Sequence, residues 1–93
     1  MAIFAVIQTP GENGEKLANA VARAYPDAFY TLKPEVWLVS GQGTAQDVSN
    51  KLGISPGGVN GSGLVVEAAS YYGRANPAVW TWIKNYWEGP PVV

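Results

Sequence analysis

The sequence predicts an α+β domain with the element order β-α-β-β-α-β and a third helix after it. Three observations carry this reading. Short apolar or alternating runs lie at residues 2–8, 28–32, 35–41 and 64–69. Helical periodicity with start and stop residues occupies 15–25, the stretch from Thr44 to Leu52, and 76–89. No repeat, charge block or linker divides the 93 residues, so 1–93 is one domain with 76–89 as an additional C-terminal helix within it.

The first run, AIFAVIQ from Ala2 to Gln8, is closed by Thr9-Pro10-Gly11, which favours a buried strand over a helix. From Glu15 to Tyr25, Leu17, Val21 and Ala24 share a helical face, further alanines raise helix propensity, and Pro26 ends the helix. The runs 28–32 and 35–41 are rich in β-branched and aromatic residues, and Lys33-Pro34 between them makes a hairpin. Thr44 with Asp47 three positions later is a capping-box pair at the head of the second helix. Val48 and Leu52 face its core side, and Gly53 followed by Ile54 predicts a left-handed stop. Ser55 to Gly63, SPGGVNGSG, holds four glycines and is expected to be the most mobile internal loop.

The stretch from Ser62 to Glu88 organises the rest. Leu64, Val66 and Ala68 alternate with Val65, Glu67 and Ala69 as in a strand, and Tyr71-Tyr72-Gly73 ends it. Asn76 is an N-cap, Pro77 takes the first helical position, and the helix runs from Ala78 to about Glu88 before Gly89-Pro90-Pro91. Three of the four tryptophans lie on it. Val79, Trp80, Ile83 and Trp87 form one face, and Trp82 with Tyr86 forms a second stripe, so more than one neighbour should bury this helix.

The element order resembles the ferredoxin-like plait, a fold rather than a family, whose antiparallel sheet has the order 4-1-3-2 when both crossovers are right-handed. A plait keeps its two crossover helices on one face of the sheet. Here the central strands are apolar on both faces: Ile3, Ala5 and Ile7 alternate with Phe4 and Val6, and Val36 and Leu38 with Trp37 and Val39. A face left to water would alternate with polar residues. The second face therefore requires a cover: the tryptophan helix of the same chain, that helix from a partner, or a second sheet.

Composition narrows the chemistry. With 47% apolar and 14% charged residues the chain is a folding one, and a net charge of −1 gives no footprint for nucleic acid or an acidic membrane. Cysteine and histidine are both absent. That removes thiolate chemistry, the commonest metal ligands and the commonest general base. MAIFAVIQ lacks a positive n-region and is too short to span a membrane, so a cytoplasmic protein is expected. No metal site, cofactor or catalytic residue is assigned.

The expected topology brings Gly41-Gln42-Gly43-Thr44 to the same end of the sheet as Tyr71, Tyr72 and Arg74. Glycines before a helix N-terminus leave N–H groups for an anion, and Arg74 could add a bidentate charge. Gly41, Gly43, Thr44, Tyr72 and Arg74 are therefore a candidate site for a small anionic ligand. The structural alternative is a tight turn, with Arg74 paired to Asp27 or Asp47. TPGENGEK, residues 9–16, lacks P-loop spacing and the terminal Gly-Lys-Ser/Thr. Phe4 and Trp37 fall where an RNA-recognition motif stacks bases, but its flanking pattern is missing, so burial beneath the third helix or a partner is expected. Nothing brings Glu67 and Glu88 together as a catalytic pair.

Three function classes follow. The first is a non-enzymatic binding module, homodimeric or bound to another protein, with Trp80, Trp82, Tyr86 and Trp87 as its interaction surface. The second is a regulatory domain binding a small ligand or nucleotide at the 41–44 and 71–74 corner. The third is an enzyme with a Tyr, Arg and carboxylate site.

Overall fold

The computed structural model describes residues 2–9 and 14–87. The chain forms β1 (Ala2–Gln8), α1 (Gly14–Ala24), β2 (Phe29–Lys33), β3 (Val36–Gly41), α2 (Ala45–Leu52), β4 (Gly63–Glu67) and α3 (Pro77–Tyr86). The four strands make one antiparallel sheet of order β2-β3-β1-β4, which is 4-1-3-2 counted from the opposite edge, an arrangement consistent with a ferredoxin-like plait. β1 and β3 are central, pairing Ile3 with Ser40 and Val6 with Trp37.

Strand alternation divides the apolar residues between two cores. Phe4, Val6, Trp37 and Val39 point to one face, where Leu17 and Val21 of α1 and Val48 and Leu52 of α2 cover them. Ile3 and Leu38 point to the other, where Val79 and Ile83 of α3 close over them. The second face is thus covered by the chain's own tryptophan helix. Phe4 and Trp37 are buried as the sequence required, but beneath α1 and α2 rather than beneath α3 or a partner. The reason is parity: they alternate with Ile3 and Leu38, and only the latter pair takes the α3 side.

Local signals place the helix ends. Thr44 Oγ1 accepts from the Asp47 N–H at 3.2 Å, and an Asp47 carboxylate oxygen accepts from the Thr44 N–H at 2.8 Å, completing the capping box. Gly53, at φ 75°, closes α2 in the left-handed conformation, and Ile54 beyond it is buried. Asn76 caps α3 through the Ala78 N–H, with Pro77 at the first turn. The last turn of α3 ends at Tyr86, short of the expected Glu88; Glu88 to Pro91 lie outside the described residues, as do Pro10 to Asn13.

The glycine loop is more tied than its composition suggests. The Asn60 side chain donates to the Leu52 carbonyl, the Asn60 N–H to the Gly53 carbonyl, and the Gly58 N–H to the Ser55 carbonyl. Ser55 also bonds the side chains of Ser49 and Asn50.

Candidate functional site

Two places could carry function: the glycine corner at the end of β3, and the α3 side of the sheet. At the corner, Gly41 is buried against Tyr25, whose ring edge fills the space a Cβ would need. Gly43 turns with φ 93°, and a Cβ there would collide with the Asp47 carboxylate. Both glycines thus have packing reasons. The helix N-terminus already holds a negative group, because the Asp47 carboxylate accepts from the Thr44 N–H.

Tyr72 and Arg74 lie past the end of β4 and are exposed, Tyr72 at 92%. Among the described residues no hydrogen bond or ion pair joins either of them to residues 41–44, and none joins Arg74 to Asp27 or Asp47. The corner does border a cleft of about 320 Å³ between α1, β3 and α2, whose lining includes Tyr25, Gln42, Asp47 and Lys51. Sequence reasoning missed it, since Tyr25 and Lys51 read as ordinary helix residues. Lys51 Nζ stands 4.7 Å from the Tyr25 ring centroid, a cation–π contact. Burial raises the Tyr25 phenol above its ordinary pKa by disfavouring the phenolate. The cleft's charged groups, Asp47 and Lys51, are therefore both engaged within the chain.

On the other side of the sheet, α3 lays Val79 and Ile83 on the strands and flanks them with two aromatic rows. Tyr71 stacks on Trp80 at 5.8 Å between centroids and meets Trp87 edge-on at 5.0 Å. On the opposite flank Trp82 packs on Tyr86 at 4.7 Å and approaches Tyr30 of β2 at 6.3 Å. The Tyr86 hydroxyl donates to the Asp27 carbonyl. All four predicted interface aromatics, Trp80, Trp82, Tyr86 and Trp87, are half-buried on their own chain. The second stripe meets β2 of the same molecule.

α3 covers only part of its face. Ile7, Leu64 and Val66 lie on that side at 36%, 55% and 46% exposure. Register makes them neighbours: Ile7 pairs with Leu64, and Val66 pairs with Ala5, which packs at the edge of the α3 cluster. The period-2 pattern of β4 held this information, because Leu64 and Val66 share a face.

Among the described residues no group of three or more Asp, Glu, His or Cys could hold a metal ion, and no helix is long and apolar enough to cross a membrane. Comparison of the chain with protein-family models, curated proteins and solved structures finds no match.

Proposed function

We propose that the protein is a non-enzymatic association module on a ferredoxin-like plait, binding a second copy of itself or another protein through the part of the sheet that α3 leaves open. The supporting observation is the exposed aliphatic row of Ile7, Leu64 and Val66. Scattered exposed aliphatics are ordinary, but adjacent ones on a regular sheet form a patch, and patches of this kind mark contact surfaces. The half-buried aromatics of α3 extend the same surface, since Ala5 lies between Val66 and the helix cluster.

The anion-binding reading of residues 41–44 with Tyr72 and Arg74 is less favoured, because an incoming anion would have to displace or face the Asp47 carboxylate. The enzyme reading has no observation of its own.

Sedimentation velocity from micromolar to about 200 µM tests association. Self-association is expected, and replacing Leu64 and Val66 together by Glu should abolish it while leaving far-UV circular dichroism unchanged, since both side chains already face water. A native chain that stays monomeric throughout, and whose fold and solubility ignore that double substitution, would sink the proposal.

A further inference from the structure

The two edges of the sheet are built differently, and this identifies the contact. The β2 edge is blunted: its pairing with β3 breaks register between Thr31 and Lys33, and it ends in Lys33 followed by Pro34. An irregular pairing, a lysine and a flanking proline all discourage an edge strand from pairing with another chain. β4, GLVVE, has none of them. Its register with β1 is unbroken from Gly63 to Glu67, and Glu67 is its one charged residue.

Hydrogen-bond parity shows which groups of β4 are free to pair. The Thr9 N–H donates to the Ser62 carbonyl, and the Ala68 N–H donates to the Ile3 carbonyl. In an antiparallel ladder such pairs recur at every second residue, so Leu64 and Val66 also direct their backbone groups to β1. Gly63, Val65 and Glu67 consequently direct N–H and C=O outward, along the open edge.

We infer that a second copy of this chain pairs antiparallel along that edge, β4 against β4, about a two-fold axis through Val65. The inference rests on the association reading above and names its surface and partner. The register follows from the strand's own sequence. With Val65 opposite the partner's Val65, Gly63 lies opposite the partner's Glu67, and every outward N–H and C=O of β4 finds an acceptor or donor. A shift to Leu64 or Val66 as centre would leave one end of the strand unpaired. The two Glu67 carboxylates face glycines rather than each other. On the α3 side Leu64 lies opposite the partner's Val66, so the exposed aliphatic rows of the two copies join across the axis. The resulting contact is isologous, as two-fold association demands.

The absence of native cysteine makes a register test direct. Leu64→Cys and Val66→Cys chains are mixed and mildly oxidised. Directly opposite, non-hydrogen-bonded positions have Cα atoms about 4.5 Å apart, within the roughly 4.4–6.8 Å that a disulfide spans. Like positions are diagonal at roughly 7–8 Å. The mixed disulfide should therefore exceed either homodisulfide about tenfold.

Glu67→Pro supplies the second variant. It removes an outward N–H at an exposed position and spares the β1 ladder. It should give a monomer with the native circular dichroism spectrum and unfolding midpoint. In the native chain, amide exchange at Gly63, Val65 and Glu67 should slow as concentration rises. A statistical disulfide mixture, or a dimer that survives Glu67→Pro yet is lost with the Leu64 and Val66 glutamates, would overturn the edge pairing and leave the association reading standing. A native chain that is monomeric at about 200 µM would overturn the edge pairing, and one whose fold and solubility also ignore the Leu64 and Val66 glutamates would overturn the association reading with it.

Discussion

At Gly41 a Cβ would stand 2.8 Å from Tyr25 Cε1, closer than real Cβ contacts allow. Gly41→Ala must therefore push the ring out of its place between α1 and the sheet, and overpacking of this kind costs about 1–3 kcal/mol; chemical denaturation would measure it. The same ring makes a pH prediction. Burial raises the folded-state pKa of Tyr25 above its unfolded value, so the native state holds that proton more tightly. The contribution is fully present below about pH 10, the ordinary tyrosine value, and is lost as pH rises through the folded pKa. Tyr25→Phe should flatten the alkaline fall in stability relative to the native chain. At the neighbouring helix start, the Asp47 carboxylate leads us to expect that millimolar phosphate leaves the Gly43 and Thr44 amides unshifted, whether or not Arg74 is replaced by Ala. Shifts that vanish with Arg74→Ala would restore the anion site. The glycines here could be read from sequence, and so could the Thr44–Asp47 cap. That cap by itself implies the Asp47 carboxylate on the Thr44 N–H; what could not be read is the Tyr25 ring packed against Gly41, a contact between residues far apart in order.

Among the elements, α3 has a division of labour between its faces. Ile83 is buried on the sheet, so Ile83→Ala should cost about 2–5 kcal/mol. Trp82 is only half-buried, and Trp82→Ala should unfold the protein less readily despite deleting more atoms. Tyr86→Phe loses the hydroxyl bond to the Asp27 carbonyl that fastens α3 to the turn before β2, at about 0.5–1.5 kcal/mol. Urea titrations of the three variants would rank them in the order Ile83, Trp82, Tyr86. The loop from Ser55 to Gly63 should accept an insertion only near its tip, at Gly57 to Val59, where Val59 is exposed and Gly57 has open space around it. An insertion between Asn60 and Gly63 would detach Asn60 from the end of α2 and should lower the unfolding midpoint. Composition alone made the whole loop equally loose; the Asn60 amide, which reaches back eight residues, is invisible to a local reading.

For the molecule as a whole, the alternation of β1 and β3 carried most of the architecture. Apolar residues on both faces of both central strands required cover on both sides, and of the three candidate covers it is the chain's own α3 that packs on the second face. The extent of that cover was not legible. The sequence shows how many large aromatics α3 has, but not that Tyr71 and Tyr30 of the same chain occupy both of its flanks, since these contacts join residues far apart in order. Counting stripes suggested that the aromatic face itself needs a partner. The structure instead leaves the aliphatic row of β1 and β4 open. The irregular step between Thr31 and Lys33 has a consequence for stoichiometry. A sheet that could add strands on both edges would be a monomer for polymerisation, and every addition would create another growing end. With one edge terminated, a chain that pairs through β4 would have a single valence, and such an assembly would stop growing after one addition.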